Sequence, residues 1–457
     1  MKQQWFKTLT VLTTALGVVA CGGGGGGGTI AGAGGNIGGG GAQDCSITGL
    51  NNFVLAAMQD IYFYDDQLPA LDPGSFQSPE AVLADLVDEV DISPNDDVFI
   101  PDTFSFITSA EADDGLFARG EALGFGFSLT QPTLDELLIT RVFTGSPAAN
   151  AAVQRGRQLV AIDGRTIAEV RTAEGLGIAL FPDEAGAMRT LTFRTQNGTE
   201  FDADLTAAVY TIDPVPQTRI FQNNGTNFGY LELSIFVSTA DPRFDDVFQQ
   251  LNDANVTDLI LDLRDNGGGL VTTANFLGDF LGGSVAESRV FSDTRFNDNN
   301  AARNVTELFE RLNNSMSLSR LVVIATRGTA SASELIINSL EPHVEVQIVG
   351  DSTSGKPVGQ VGLLFCDKIL RPVAFETLNS LGEGRYYLGL PVDCPAEDDL
   401  LLPVGDPQEA STAAAISLLS TGTCPSATVH GPRSATVVAP INPPRGVRRA
   451  QREAYAW

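Results

Sequence analysis

The sequence predicts a multi-domain α/β protein with a helical N-terminal region, a middle β domain and an α/β core that contains βαβ units. Three observations lead to this fold class. The chain has 457 residues, more than one ordinary domain holds. Apolar residues recur at helical spacing near the N terminus, whereas short β-type runs fill residues 110–210. Beyond residue 229 strands and helices alternate, which is typical of a mainly parallel sheet.

Residues 1–21 have the pattern of a bacterial lipoprotein signal peptide. Two lysines precede an apolar run over residues 9–20, which is too short to span a bilayer as a mature helix. The run ends in Val18-Val19-Ala20-Cys21, which resembles a lipobox, in which the cysteine becomes the lipidated first residue. We therefore expect a lipid anchor on Cys21 that holds the protein at the membrane of the cell envelope, facing the periplasm or the exterior. Ordinary secretion with cleavage nearby is the alternative.

The residues after the anchor predict a tether, and the remaining cysteines predict disulfides. Seven glycines follow Cys21, and residues 22–44 are rich in glycine and alanine, which is typical of a flexible linker. An even number of cysteines then remains in an oxidising compartment, so two disulfides are expected. Of the three connectivities we expect Cys366–Cys394 and Cys45–Cys424. A zinc site is the poorer interpretation, because the sequence has no CxxC spacing and only two histidines.

The charge of the chain argues against one class of partner. The sequence holds 28 Lys and Arg against 56 Asp and Glu, a net charge of −28. A surface of that sign repels phosphate backbones, so nucleic acid is not expected as a partner.

Residues 45–109 are expected to form a small helical domain. Apolar residues follow a helical pattern from Asn51 to about Asp102, interrupted by a Pro/Gly break and resumed over Pro79–Val90. No residue type or spacing in this region suggests chemistry.

Residues 110–210 contain two stretches that resemble a PDZ domain. The first is a glycine-bearing loop before a strand, formed by Leu123, Gly124, Phe125, Gly126 and Phe127. The second begins at residue 141 and includes Gly145-Ser146-Pro147-Ala148 and a strand that ends in Asp163-Gly164. Glycines in such a loop leave backbone N–H groups for a terminal carboxylate, and the adjoining strand adds a peptide by β-augmentation. We therefore expect a reader of peptide C termini.

Residues 211–425 are expected to form the core, and residues 426–457 a poorly ordered tail. Strands are predicted over Tyr230–Val237, Leu259–Leu263, Leu321–Ala325 and Val344–Val349, with one helix between the first two and another that begins near Ser331. The carboxyl ends of parallel strands meet at one edge of the sheet, where ligand sites concentrate.

Two turns at that edge carry candidate functional residues. The first runs from Leu263 through three glycines to Gly269, and its free N–H groups could stabilise an oxyanion. A phosphate-binding loop is the weaker reading, because no Gly-Lys-Ser/Thr follows and the chain is acidic. The second turn places Ser331 where a strand enters a helix, which exposes its hydroxyl. A helix N-cap is the alternative role for this serine.

The presence of Lys356 favours the interpretation of Ser331 as a nucleophile over that of a helix N-cap. The chain has only four lysines, two of them in the signal segment, and otherwise uses arginine for positive charge. Lysine differs from arginine in that it loses its proton when it is desolvated. A Ser-His-Asp triad is disfavoured, because His343 lies at a packing distance along the helix and His430 in the tail.

Taken together, these motifs resemble those of the C-terminal processing (tail-specific) serine peptidases, which place a PDZ domain ahead of a ClpP/crotonase-like α/β core. The resemblance covers roughly residues 50–420. It rests on Asp262–Gly269, Thr329–Glu334 and Gly355-Lys356 with Gln360, in the family's order. It implies a serine endopeptidase that acts on proteins with free C termini and needs no metal or cofactor. A homo-oligomer or an activating partner remains open.

The resemblance also implies roles for single residues. Ser331 would be the nucleophile, Lys356 the neutral general base and Gln360 the residue that orients the lysine. Gly268 and the amide of Ala332 would form the oxyanion hole. Two alternatives remain: an inactive scaffold whose PDZ domain binds C termini, and a crotonase-like acyl hydrolase that acts on thioesters, which the PDZ-like segment disfavours.

Overall fold

The computed structural model describes residues 44–93, 99–134, 136–223 and 225–425. The predicted signal peptide with Cys21, nearly all of the linker and the tail over residues 426–457 lie outside the described residues. Within them the protein is a multi-domain α/β structure with a helical N-terminal region, as the sequence predicts. None of the described helices is long and apolar enough to cross a membrane.

The first two helices of the N-terminal region each begin at a serine that caps the helix N terminus. Ser46 and Ser78 act as N-caps, and their side chains accept the amides of Gly49 and Ala81, while Pro79 occupies a first-turn position. The elements are α1 (Ile47–Ile61), α2 (Pro79–Leu86), β1 (Phe106–Ser109) and α3 (Ala110–Arg119), with 3₁₀ turns at Asp65–Gln67 and Pro73–Ser75.

The middle region is mostly strand and closes its own hydrophobic core, made by residues between 125 and 207. One sheet has the order β3-β4-β5-β7-β8, with β6 beside β5, and β2 pairs with β9. The elements are β2 (Glu121–Gly124), β3 (Phe127–Thr133), β4 (Glu136–Val142), α4 (Pro147–Asn150), β5 (Gln158–Ile162), β6 (Arg165–Thr166), α5 (Ile167–Ala173), α6 (Leu176–Leu180), β7 (Met188–Arg194), β8 (Glu200–Thr206) and β9 (Ala208–Thr211).

The C-terminal region contains the predicted parallel sheet. Its elements are β10 (Gln217–Asn223), β11 (Thr226–Glu232), α7 (Asp241–Asp253), β12 (Asp258–Asp262), α8 (Val271–Gly282), β13 (Val290–Phe296), a 3₁₀ turn (Asp298–Arg303), β14 (Val305–Leu308), β15 (Arg320–Ala325), α9 (Ala332–Leu340), β16 (Glu345–Gly350), β17 (Val358–Gln360), β18 (Leu363–Phe365), β19 (Lys368–Arg371), β20 (Val373–Leu378), β21 (Cys394–Pro395) and α10 (Ala410–Thr421).

The main sheet has the order β10-β11-β12-β15-β16-β21, and every pairing in it is parallel except that of β10 with β11. Helices α7, α8 and α9 contribute to the core on one face, and α10 packs on the other. Both faces are therefore covered, which explains why the central strands are almost continuously apolar. A second sheet has the order β14-β13-β20-β17, and a third has the order β1-β19-β18.

The helical N-terminal region shares its core with the C-terminal region instead of closing one alone. Residues of α1 and α2 pack in one cluster with Val358, Phe365, Leu370 and Val373. Strand β1 pairs antiparallel with β19, and Phe53 stacks on Phe365 with ring centroids 4.6 Å apart. The N-terminal region is thus built into the wall that carries β17 and β19.

The expected disulfide connectivity is wrong. The structure pairs Cys45 with Cys366 and Cys394 with Cys424, with Cα atoms 6.0 and 5.6 Å apart. Cys45 comes just before α1, which packs beside the turn between β18 and β19 that holds Cys366. Cys394 lies on β21, beside the end of α10. The sequence shows neither contact, because both depend on packing between regions that are distant along the chain.

Candidate active site

The glycine turn after β12 is fixed by side chains that are themselves buried. Asn266 donates from Nδ2 to the carbonyl of Leu233 at 2.7 Å, and its Oδ1 accepts the amide of Gly268 at 3.0 Å. The amide of Phe236 donates to the carbonyl of Gly268 at 2.9 Å. Gly268 and Gly269 have φ of +104° and +137°, which residues other than glycine rarely adopt.

This turn lies directly against Ser331. A Cβ atom on Gly268 would be 2.8 Å from both the Ser331 Cβ and the Ala332 nitrogen, so only glycine fits there. The amide of Gly268, which the resemblance implied as an oxyanion donor, donates to Asn266 Oδ1 in this structure. Gly267 and Gly269, its two neighbours, line the cavity beside the serine.

Ser331 sits at a sharp elbow between β15 and α9. Its φ is +56° and its ψ is −115°, a conformation that is sparsely populated for residues with a Cβ. The flanking residues are held to the glycine turn: Thr329 Oγ1 donates to the carbonyl of Leu263 at 2.7 Å, and Ser333 Oγ donates to the carbonyl of Asn266 at 2.9 Å. The elbow places Ser331 in the wall of the cavity, and Ser333 supports the start of the helix.

The carboxylate of Glu334 ties the serine elbow to the lysine loop. One oxygen accepts the amides of Ser331 at 2.8 Å and Lys356 at 2.9 Å, and the other accepts the amide of Gly355 at 2.7 Å and the Thr353 hydroxyl at 2.6 Å. The side chain is fully buried. Burial raises the pKa of Glu334, and these four hydrogen bonds oppose that rise. Four donors on one carboxylate hold the two loops in a single geometry.

Lys356 and Gln360 form a hydrogen-bonded pair in the same cavity. Lys356 Nζ donates to Gln360 Oε1 at 2.8 Å. Gln360 Nε2 donates to the carbonyls of Phe104 at 2.7 Å and Arg371 at 3.1 Å, which fixes the amide with its oxygen toward the lysine. The predicted role of Gln360 in orienting Lys356 is consistent with this geometry.

The surroundings of Lys356 favour its neutral form. The pKa of Lys356 is lowered to about 8. Burial is the largest cause, the carboxylate of Asp102 opposes it, the positive charge of Arg371 adds to it, and the carboxylate of Glu334 opposes it. The side chain is 9% exposed. An amine with this pKa is neutral in an appreciable fraction of molecules near pH 8, which is what a general base requires.

The cavity joins the candidate residues to an apolar wall. Ser331, Lys356 and Gln360 line it together with the turn glycines, and its other lining residues are Phe106, Phe117, Leu270, Val271, Gly359 and Arg371. His343 is elsewhere, with Nε2 beside the carbonyl of Val290, and His430 lies outside the described residues. Within the described ranges, no group of three or more His, Cys, Asp or Glu side chains could hold a metal ion.

Sequence reasoning missed two contributors to this site. Glu334 had a readable signal, because Ser331 and Glu334 have the spacing of a capping box at the start of a helix. Phe104 had none: its carbonyl holds Gln360, and its ring centroid lies 5.3 Å from Lys356 Nζ. The N-terminal region, in which no chemistry was expected, therefore forms part of the site.

The five PDZ-like loop residues lie in the middle region and do not line this cavity. Phe125 and Phe127 are buried in the core of that region, and the loop closes onto α4, where the Ala148 amide donates to the Phe125 carbonyl at 2.9 Å. Strand β3, which begins at the end of the loop, is an edge strand of its sheet.

Two protein-family profiles match parts of this chain, and one of them spans the residues of this site. A profile described as peptidase family S41 matches residues 227–373, and one described as the peptidase S41 N-terminal domain matches residues 49–106. Carboxyl-terminal-processing proteases of Synechocystis and Picosynechococcus are 28% and 26% identical over 239 residues, 52% of this chain. These matches cover 53% and 55% of the two relatives, so the chain spans about half the length of the curated relatives it matches.

Solved structures agree on the fold. One described as an S41 protease from Bacteroides fragilis superposes with a TM-score of 0.62 and 24% identity, covering 81% of this chain and 97% of its own. A photosystem II D1 C-terminal processing protease superposes with a TM-score of 0.52 and 21% identity, and the match covers 78% of this chain and 95% of its own. These superpositions show the fold. The family profiles and the curated relatives support the resemblance to C-terminal processing serine peptidases that the motifs indicated.

We expect Glu334→Gln to destabilise the protein by about 2–4 kcal/mol. Each carboxylate oxygen of Glu334 accepts at least one backbone N–H, so the NH₂ group of glutamine would face a donor in either orientation. Urea unfolding of both proteins measures this loss. Glu341→Gln is the matched control: Glu341 is exposed at the other end of α9, near Asp393 and Glu383, and its neutralisation should cost nothing. Equal stability of Glu334→Gln and the unmodified protein would contradict the role given to this carboxylate.

We expect Lys356→Met to raise the free energy of unfolding by about 1–2 kcal/mol at pH 7, because an amine whose pKa is lowered by burial destabilises the fold while it is charged. The gain should be fully present below pH 8 and fade as the pH rises from about 8 toward the ordinary value of 10.5, where the native lysine is neutral. Urea unfolding between pH 6 and 10 measures it. Lys368→Met, which removes a lysine paired with Glu80, is the control. A gain that does not depend on pH would contradict the lowered pKa.

Proposed function

We propose that this chain, whose residues 227–373 and 49–106 match the profiles of peptidase family S41 and of its N-terminal domain, is a serine endopeptidase of the C-terminal processing type, with Ser331 as nucleophile and Lys356 as general base. One observation carries the proposal: a buried lysine of lowered pKa shares a cavity with a serine at a strained strand-to-helix elbow. Nucleophile and base arranged in this way are the requirement for acyl transfer.

The proposed reaction follows from the charges in the cavity. Neutral Lys356 takes the hydroxyl proton as Ser331 Oγ attacks the peptide carbonyl, which forms a tetrahedral oxyanion and an ammonium. The amide of Ala332, at the N terminus of α9, and an amide of the adjacent glycine turn would stabilise the oxyanion. The ammonium then returns its proton to the leaving amine. Water hydrolyses the acyl-enzyme with Lys356 again as the base.

The middle region would supply substrate recognition as a PDZ-type domain. The loop over residues 123–127 would hold the terminal carboxylate, and the edge of β3 would pair with the last residues of the substrate. The edge position of β3 supports this assignment. Lipidation of Cys21 would hold the enzyme at the membrane of the cell envelope, with the glycine-rich linker as a tether and proteins with free C termini as substrates.

The first test is cleavage of an unstructured protein with an apolar C terminus by the full-length chain, beside Ser331→Ala and Lys356→Ala. We expect cleavage by the unmodified chain alone, with kcat/KM rising as the pH passes through about 8, because the lysine must lose its proton to act. Product formation followed by mass spectrometry measures both. Equal cleavage by all three proteins would exclude this site. Peptide binding by all three without cleavage would favour the inactive scaffold.

A second test concerns the middle region. We expect the same substrate with an amidated C terminus to show a KM raised at least about tenfold with little change in kcat, because the PDZ-type loop would lose its charge-assisted hydrogen bonds to the carboxylate. Steady-state kinetics with the two substrate forms measures the difference. Identical KM values would show that the middle region does not read the terminal carboxylate, and would leave the assignment of Ser331 and Lys356 unaffected.

A further inference from the structure

Asp102 is a buried carboxylate in the turn that leads into β1, and its hydrogen bonds all have neutral donors. Oδ1 accepts the amides of Phe104 at 2.8 Å and Ser105 at 3.0 Å, and Oδ2 accepts the hydroxyls of Tyr62 at 2.9 Å and Ser105 at 2.5 Å. The side chain is 1% exposed. No Lys or Arg among the described residues forms an ion pair with it, so its negative charge is not neutralised by direct contact.

The turn held by Asp102 contacts the candidate base directly. Asp102 fixes the Phe104 amide, the Phe104 carbonyl accepts from Gln360, and Gln360 accepts from Lys356. The Phe104 ring also faces Lys356 Nζ, at 5.3 Å from its centroid. Ser105 extends the same turn to β20, because its hydroxyl accepts the amide of Val373 at 3.0 Å. A displacement of this turn would therefore move both groups that contact the amine.

The charged groups around Lys356 differ in how far their charges are already engaged by other partners. Burial and Arg371 lower the pKa of Lys356, whereas Asp102 and Glu334 raise it. Arg371 is paired on two nitrogens with Asp113, and Glu334 is surrounded by four donors that fix the two loops. Among the charged groups, Asp102 has the largest effect on the pKa of Lys356. Asp102 belongs to the N-terminal region and not to the C-terminal region that holds Ser331 and Lys356.

We propose that Asp102 is a positioning residue for the base: its carboxylate holds the Phe104 turn against Gln360 and Lys356, and its charge stabilises the ammonium that forms as Ser331 is deprotonated. This inference rests on the proposed function, because it requires Lys356 to take a proton. A lysine kept neutral by burial alone would be a poor proton acceptor at the moment of attack. A nearby buried negative charge offsets that disadvantage, as a carboxylate does for the charged base of a Ser-His-Asp triad.

Asp102→Asn tests the proposal, since it removes the charge and keeps the shape. The amide oxygen of asparagine can accept the amides of Phe104 and Ser105, and its NH₂ can donate to the hydroxyls of Tyr62 and Ser105, which are able to accept. We expect the pKa of Lys356 to fall by about half a unit or more. At the high-pH plateau we expect kcat to fall about tenfold with KM nearly unchanged.

The pKa is best measured without catalysis, by NMR of full-length Ser331→Ala labelled with [ε-¹³C]lysine. The chain has only four lysines, so the Lys356 signal is identified by its loss in Lys356→Ala. Asp85→Asn, which removes an exposed charge from α2, should leave the Lys356 pKa unchanged. Tyr62→Phe, which removes one hydrogen bond from Asp102 and no charge, should lower stability but shift the pKa far less than Asp102→Asn.

An unchanged Lys356 pKa in Asp102→Asn overturns the proposal, as does a fall in activity with the same pH midpoint, which a merely structural role would give. If Asp102→Asn does not fold, Asp102→Ser takes its place, because it also removes the charge and keeps an oxygen that can accept the Phe104 amide. The same fall in the Lys356 pKa is expected, and no shift would overturn the proposal. A lysine pKa that responds as expected in a chain that cleaves nothing would refute the proposed function and leave the electrostatic coupling standing.

Discussion

The geometry of the candidate site depends on one carboxylate, that of Glu334. It accepts the backbone amides of Ser331 and Lys356, the proposed nucleophile and base, which come from different strand-to-loop junctions of the parallel sheet. Both junctions have an unusual backbone conformation, because Ser331 has a positive φ and Lys356 follows a glycine of positive φ. A buried acceptor with four donors fixes both junctions at once, and its own desolvation is offset only while all four remain in place.

The proposed role of Lys356 places two opposing demands on the charge of its amine. Burial favours the neutral amine of Lys356, which the proposed proton transfer needs, but burial also destabilises the ammonium that this transfer would create. The structure meets both demands by surrounding the amine with groups whose charges are already engaged, such as Arg371 with Asp113, and by leaving one carboxylate, Asp102, without an ion-pair partner among the described residues. The site is thus assembled from the N-terminal region and the core together, and the shared hydrophobic cluster explains why they pack as one wall.

Much of this arrangement could be predicted from the sequence, since it depends on local pattern. The strands that carry the glycine turn, Ser331 and Lys356 were predicted to within a few residues, because each is an apolar run bounded by turn signals. The scarcity of lysine singled out Lys356. What could not be predicted depends on contacts distant along the chain: the pairing of Cys45 with Cys366, and the role of Phe104. The hydrogen bond from the Gly268 amide to Asn266 could not be predicted either, because it depends on how the turn folds.

A buried arginine beside the glycine turn illustrates what arginine provides and lysine does not. Arg264, two residues after β12 ends, is 2% exposed and forms ion pairs with Asp262 at 2.7 Å, Asp398 at 2.7 Å and Glu409 at 3.0 Å. Its planar fork can engage three carboxylates at once and cannot lose its proton, so the charge persists in a buried site. Asp398 also pairs with Arg155 of the middle region at 2.5 Å. Permanently charged arginines therefore join the regions around the turn, whereas Lys356, whose pKa is lowered, lines the cavity of Ser331.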